Sequence, residues 1–369
     1  GHRKSWIILM QIIIFISLLA WSFLDPSESL LLVIIVGLGI AISSATQDIT
    51  IDALRIEQIG EDEKDLLSAG AAISVVGWWT GYKIGGLISL ISADILQEQG
   101  VENYWQISFL ILSTIITLCS IGLLFIPEKN SLDKIKFQEL ADRKIVNKIG
   151  ASNSFVKIFA WFYGTVISPL LSFFKKNTLN VAFAILGFIF LFKIGEAFLG
   201  RMSLVFYKEI GFSKTDIALY SKGVGWLTTV LFTLLGGLFA VRMGLVKAMF
   251  VSGILMALTN IMFSFLAWAG NSETLFAFTV LVDDLAAAFA TVAFVGFISA
   301  LVDRNYTATQ YALLASIGTA GRTLFASSSG MIVDWLNGNW IIFFIITALM
   351  VIPSLVCLFL IRKKLNLNE

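Results

Sequence analysis

The sequence predicts an all-α polytopic membrane protein, on the evidence of its composition and the lengths of its apolar stretches. Of its 369 residues, 57% are hydrophobic and only 14% are charged, whereas about 25% of residues are charged in soluble proteins. A helix needs about 20 apolar residues to cross a hydrocarbon core of about 30 Å, so a soluble globular fold is excluded. We predict ten membrane spans, over residues 5–24, 30–54, 68–93, 104–126, 179–206, 214–240, 244–269, 274–301, 308–334 and 340–361.

The basic residues predict the orientation of these spans. Of the 26 lysines and arginines, 19 fall in the loops or at the adjoining span ends of one side and only 2 on the other. Since cytoplasmic loops carry the excess of basic residues, the rich side, which includes the C-terminus, is expected to be cytoplasmic. The apolar stretch 155–174 would reverse all later loops if it crossed the membrane. We therefore interpret it as an interfacial amphipathic segment, broken near Pro169.

The order of spans and loops predicts the domain organisation. Four spans are followed by a long polar interval at 127–178 and then by six spans, and transporters of the major facilitator type are built from two halves of six helices around such a loop. We predict a partial N-terminal bundle at 1–126, a cytoplasmic central loop with an interfacial helix at 127–178, and a C-terminal six-helix bundle at 179–369. The N-terminal bundle is then expected to lack two helices, as in an N-terminally truncated chain.

Ionisable side chains inside the predicted spans are the candidate functional residues, because each costs about 2.5–3.5 kcal/mol at bilayer depth. Asp48 and Asp52 are four residues apart and share a helix face, and Lys193 and Glu196 are spaced to form an intrahelical pair. Asp52 is open to a second interpretation, a gate bond to Arg3 or Lys4 near the cytoplasmic surface. The charged residues placed nearest the midplane are Lys83, Lys193, Glu196, Lys222, Asp283 and Arg322.

Aromatic residues of the third span have two interpretations. Trp78, Trp79 and Tyr82 lie mid-span, away from the interfacial belts where tryptophan and tyrosine usually gather. They would suit a stacking platform for a sugar ring, and they would equally suit packing against other helices or lipid.

Two sequence blocks, A-T-Q-D-I-x-x-D-A at 45–53 and A-T-Q-[FY]-A-L-L at 308–314, are specific, and 192–197 and Gly321-Arg322 support them. Together these motifs resemble those of the AmpG-type muropeptide permeases, a branch of the major facilitator superfamily. The resemblance implies proton-driven import of anhydromuropeptides across the bacterial cytoplasmic membrane, with protons and an anionic glycopeptide as partners in the lipid bilayer. It implies proton coupling or gating at Asp48, Asp52, Glu196 and Asp283, and substrate binding at Gln47, Trp79, Lys83, Lys193, Lys222 and Arg322.

One departure from the family pattern concerns the third span. The family pattern there resembles G-Y-R-x-G, and Trp79 stands in place of its arginine, with Lys83 four residues on as the replacement charge. Alternative functions are a related permease for another anionic cargo such as acetyl-CoA, and an inactive truncated remnant. A membrane-embedded enzyme is disfavoured because the loops are short and His2 is the single histidine.

The remaining expectations concern cofactors and partners. Cys119 and Cys357 lie inside apolar stretches and are separate from any histidine, so neither a metal site nor a disulfide framework is expected. The sequence has no basic tract of the kind that binds nucleic acid. We expect a monomer that needs no cofactor.

Overall fold

The computed structural model describes residues 2–60, 63–128, 159, 161–213, 217 and 225–365, and in these ranges the chain is almost entirely helical. A π-helical turn at Tyr163–Ile167 precedes α5, and a 3-10 turn at Arg304–Tyr306 precedes α11. The helices are α1 His2–Trp21, α2 Pro26–Gln58, α3 Lys64–Glu98, α4 Tyr104–Leu124, α5 Ser168–Lys176, α6 Leu179–Leu191, α7 Ile194–Ile210, α8 Gly225–Met243, α9 Leu245–Ala269, α10 Glu273–Leu301, α11 Thr307–Ala326, α12 Ser329–Trp335, α13 Trp340–Leu349 and α14 Ile352–Ile361.

Eight helical segments of the described chain are long and apolar enough to cross a membrane. They match eight of the ten predicted spans, with α6 and α7 forming one of them and α13 and α14 another. The two predicted spans outside this set correspond to α3 and α11. Both are long enough, at 35 and 20 residues, but their glycines, hydroxyl residues and internal charges make them less apolar. The all-α membrane fold is confirmed, and the count of ten stays a prediction.

The chain divides into two compact units. Unit 1 combines Gly1–Gln58 with Thr80–Ile167, and unit 2 combines Ile59–Trp79 with Ser168–Glu369. Helix α3 therefore contributes its first half to unit 2 and its second half to unit 1. The predicted domain boundaries, which assign all of α3 to an N-terminal bundle, stay a prediction.

In unit 1, α1 packs against both α2 and α4. Polar contacts join the start of α1 to the ends of the other two helices: Arg3 pairs with Glu57 at 2.9 Å, and the Lys4 ammonium donates to the carbonyl oxygens of Leu124 and Ile126 at 2.9 and 2.6 Å. These bonds satisfy carbonyl groups that the end of α4 leaves without helical partners.

In unit 2, α9 packs against α10 and α13, and α6 packs against α11 and α14. A cluster of aromatic side chains fills one part of its core, where the rings of Phe206 and Phe344 meet edge to face with centroids 4.7 Å apart. The first half of α3 contributes Ala71, Ala72 and Val75 to a second cluster, together with Val292 of α10.

The segment predicted to be interfacial contains α5, with Pro169 in the first turn, where a proline removes no helical hydrogen bond. Pro169 and Phe173 are buried. Gln310 of the second A-T-Q block holds the segment, since its side chain donates to the Pro169 carbonyl oxygen at 2.9 Å and accepts from the Asp303 backbone amide at 2.6 Å. Of this predicted segment, residues 155–158 and 160 lie outside the described residues.

Candidate functional site

The candidate site lies in unit 2, where the fifth predicted span is interrupted. Helix α6 ends at Leu191 and α7 begins at Ile194, and Lys193 occupies the N-cap position of α7 with non-helical backbone angles. Discontinuous helices in transporters commonly mark the binding region. The interruption places a basic side chain inside the unit, because Lys193 is only 5% exposed.

Lys193 forms the pair that the sequence spacing predicted. Its ammonium nitrogen lies 2.8 Å from Glu196 Oε2 and donates to the Thr291 hydroxyl at 2.7 Å. The Thr291 hydroxyl in turn donates to the Ala287 carbonyl oxygen at 2.7 Å. The buried charge is therefore neutralised by one carboxylate and oriented by a hydroxyl from α10, as a charge at low dielectric requires.

Two more predicted residues act on this pair through space. The charges of Asp283 on α10 and Arg322 on α11 are close enough to interact with the Lys193 ammonium. Asp283 is half-buried and lies within reach of the Glu196 charge. Arg322 is exposed. The site therefore holds two cations and two carboxylates, contributed by α7, α10, α11 and the residue before α7.

Two glycines allow the helices to close around the interruption. A Cβ atom on Gly321 of α11 would overlap the Phe190 carbonyl oxygen, and one on Gly195 would lie 2.5 Å from the Thr347 carbonyl oxygen. Only a residue without a side chain permits such approaches between helix backbones. The glycines of the 192–197 block and of Gly321-Arg322 therefore have a packing role.

Asn260 of α9 is a site residue that the sequence analysis missed. It is 1% exposed, and its amide nitrogen finds no hydrogen-bond partner among the described residues. That nitrogen would lie 3.3 Å from a Cβ on Gly195, so the side chain reaches the start of α7. An asparagine inside an apolar helix was the available signal, because a buried amide without a partner costs about 1–3 kcal/mol.

The predicted acids of α2 belong to unit 1 and differ in environment. Asp48 is exposed, whereas Asp52 is buried and pairs with Arg55 at 2.9 Å. Arg3 pairs with Glu57 at 2.9 Å, and the gate bond of Asp52 to Arg3 or Lys4 stays a prediction. Arg55 lies one turn after Asp52 on the same helix, so the two side chains can pair without any other segment of the chain being ordered.

The other predicted binding residues lie on α2 and α3 or outside the described residues. Gln47 is half-buried in unit 1, and its amide oxygen has no hydrogen-bond partner there among the described residues. Lys83 is half-buried in the part of α3 that belongs to unit 1. Trp79 packs against the cluster that Ala71, Ala72 and Val75 form with Val292, and its role in binding stays a prediction. Lys222 lies outside the described residues.

Comparison with known proteins decides the family. AmpG 4 of Rickettsia felis, which is named as a transporter, is 32% identical over 366 residues that cover 99% of this chain and 81% of the relative. This chain belongs to the AmpG transporter family. The anhydromuropeptide permease of Escherichia coli K12 is 28% identical over 368 residues, covering 99% of this chain and 67% of the permease. No protein-family model matches the sequence.

Solved structures confirm the major facilitator fold of this AmpG-family chain. The human organic anion transporter MFSD10 aligns with a TM-score of 0.63 at 15% identity, covering 96% of this chain and 77% of that protein. The proton:xylose symporter XylE aligns with a TM-score of 0.62 at 17% identity, covering 98% and 80%. The chain is a multi-pass membrane transporter, and the names of its AmpG relatives do not favour the acetyl-CoA alternative.

Proposed function

We propose that this chain imports anhydromuropeptides across the bacterial cytoplasmic membrane, driven by protons that enter with the cargo. The E. coli relative is named for this cargo. The observation that carries the proposal is the ion pair of buried Lys193 and half-buried Glu196, 2.8 Å apart at the interruption between α6 and α7. A transporter of an anion needs a cation inside the protein, and this cation has a partner that protonation can remove.

The proposed coupling follows from the cost of an unpaired buried charge. While Glu196 is ionised, its carboxylate neutralises Lys193 and competes with any carboxylate of the cargo. When Glu196 accepts a proton, Lys193 is left without a full counter-charge, and an unpaired buried charge costs about 3–5 kcal/mol. A carboxylate of the cargo peptide then replaces the lost charge. Proton and cargo therefore enter together, because each makes binding of the other favourable.

Other residues have supporting roles in this proposal. Asp283 shares the proton with Glu196, since both carboxylates act on Lys193. Arg322 is exposed, and its guanidinium forms a bidentate contact with a cargo carboxylate, which lysine cannot reproduce. In unit 1, Asp48 and Asp52 contribute to proton coupling and gating. Substrate binding is also assigned to Gln47, Trp79, Lys83 and Lys222.

The proposed topology and assembly follow from the sequence. The 127–178 interval and the C-terminus are assigned to the cytoplasm, because the basic loops lie on that side. The protein is proposed to work as a monomer in the inner membrane.

Transport in proteoliposomes tests the proposal. The purified chain is reconstituted, and uptake of radiolabelled anhydromuropeptide is measured with and without an inward proton gradient. We expect accumulation above the external concentration only with the gradient. Glu196→Gln imitates the protonated carboxyl group, so it should retain exchange of cargo at equal concentrations and lose accumulation driven by the gradient.

The matched control is Glu209→Gln, on the same helix but at its far end. Glu209 accepts a hydrogen bond from the Trp340 indole at 2.7 Å, which a glutamine oxygen also accepts. This variant should accumulate cargo normally. Accumulation by Glu196→Gln at the rate of the unmodified protein would refute the coupling role, and absence of muropeptide uptake by the unmodified protein would refute the cargo.

A further inference from the structure

Unit 1 contains a cavity of about 510 Å³ that belongs to neither the candidate site nor the predicted binding residues. It lies at the end of the unit where α1 and α3 end and where α2 and α4 begin. Aromatic rings from both α1 and α4 line it, together with two carboxylates and one amide. The residues with rings or polar groups are Trp21, Asp25, Glu102, Tyr104, Trp105, Gln106 and Phe109.

The rings form a connected row. The ring centroids of Trp21 and Phe109 are 5.3 Å apart, those of Trp105 and Phe109 are 6.3 Å apart, and those of Tyr104 and Trp105 are 5.8 Å apart. The Trp21 indole donates to the Val33 carbonyl oxygen at 3.0 Å, which holds that ring in place against α2. Aromatic faces carry negative electrostatic potential and attract cations, so this wall favours a positively charged ligand.

The polar groups of the cavity have the matching charge. Asp25 and Glu102 are both carboxylates, and none of the described residues that line the cavity is basic. Asp25 Oδ1 accepts hydrogen bonds from the Ser27 amide at 2.8 Å and the Ser27 hydroxyl at 2.6 Å. These bonds lower the pKa of Asp25 below its ordinary value and keep the carboxylate ionised. Both fall on Oδ1, so these two bonds leave Oδ2 available as an acceptor.

The surroundings indicate where the ligand comes from. Phe23, next to the cavity in sequence, is 85% exposed, and Leu30 and Leu31 at the start of α2 are 61% and 69% exposed. Large apolar side chains this exposed on a membrane helix are available for contact with lipid acyl chains. A headgroup of the adjoining leaflet is therefore the nearest source of a cation, with its acyl chains lying against these residues.

We propose that this cavity binds the primary ammonium group of a phospholipid headgroup. The two carboxylates pair with the ammonium group, and the faces of the aromatic rings contact it. The proposal does not depend on the identity of the transported cargo. A soluble amine, including an amino group of a peptide, shares the chemistry, and the exposed apolar residues beside the cavity favour the lipid.

Calorimetric titration of the purified chain in detergent tests this site. The probes are dihexanoyl phosphatidylethanolamine, dihexanoyl phosphatidylglycerol, which has the same acyl chains and no ammonium group, free ethanolamine and N-acetylglucosamine. We expect saturable binding of phosphatidylethanolamine and at least tenfold weaker binding of the other three. Glu102→Gln and Trp105→Leu should each weaken phosphatidylethanolamine binding by roughly fivefold.

The matched control is Glu98→Gln, which removes an exposed carboxylate at the end of α3 that does not line the cavity. It should bind phosphatidylethanolamine like the unmodified chain. Glu102→Gln changes an exposed residue between helices and keeps the side-chain shape, so it tests the charge even if Trp105→Leu fails to fold. Equal binding of phosphatidylglycerol, or unchanged binding by Glu102→Gln, would overturn ammonium recognition. Equal binding of ethanolamine would overturn the lipid source, and preferential binding of N-acetylglucosamine would make the cavity a saccharide site.

Discussion

Replacement of Gly321 by alanine tests how closely α11 approaches the interruption beside Lys193. The added Cβ would overlap the Phe190 carbonyl oxygen and would lie 2.9 Å from the Phe190 carbonyl carbon and 3.2 Å from its Cδ2. Ordinary contacts of carbon with a carbonyl oxygen are about 3.3–3.6 Å long. The obstructing atoms belong mainly to the backbone, so no rotation of a side chain relieves the overlap, and α11 must move away from α6 by about 1 Å.

The magnitude follows from two opposing terms. Overpacking of this kind costs about 1–3 kcal/mol, and an overlap with backbone lies at the upper end of that range. Alanine is favoured over glycine in a helix interior by about 1 kcal/mol. We therefore expect Gly321→Ala to lower the free energy of unfolding by about 1–2 kcal/mol. Gly200→Ala in α7, where a Cβ would meet no atom within 4 Å, should be neutral or slightly stabilising.

The assay is thermal unfolding of both variants in the same detergent, followed by scanning fluorimetry, together with uptake in proteoliposomes. Gly321→Ala should unfold at a lower temperature than Gly200→Ala and should transport less, since displacement of α6 moves the Lys193 ammonium. If Gly321→Ala unfolded at the same temperature as Gly200→Ala or above it, the close approach of α11 to α6 would be wrong.

Three further predictions concern the buried pair, the α5 segment and the topology. Lys193→Met should lower the free energy of unfolding by about 3–5 kcal/mol because it leaves Glu196 unpaired. Adding Glu196→Gln to this variant should restore most of that loss. Equal melting temperatures of the single and double variants would contradict this. Gln310→Ala removes two hydrogen bonds that hold α5, each worth about 1 kcal/mol. The end of α5 should then open more often, so trypsin should cleave after Lys176 faster than in the unmodified protein. Unchanged cleavage would mean that Gln310 does not hold α5. A cysteine at Ser152, in a chain without Cys119 and Cys357, should resist membrane-impermeant thiol reagents in intact cells, and labelling from outside would reverse the predicted topology.

The sequence by itself determined the features that depend on local spacing. Apolar length and low charge predicted the all-α membrane fold, because a span must satisfy its backbone groups internally and match the thickness of the hydrocarbon core. The pair of Lys193 and Glu196 was predictable in the same way, since side chains three residues apart in or at the start of a helix can reach each other. The specific blocks around Asp48 and Gln310 indicated the family that the comparison with R. felis AmpG 4 then established.

Only the tertiary structure decided which residues from different helices meet. Thr291 and Asn260 approach the interruption at Lys193 from α10 and α9, and the sequence does not indicate which residues of other helices they meet. Arg3 pairs with Glu57, and the Gln310 side chain donates to the Pro169 carbonyl oxygen of α5. Such contacts depend on the rotation of each helix about its axis and on the distance between axes. Those quantities are decided by the packing of all neighbouring side chains together, which the spacing of residues along one helix does not specify.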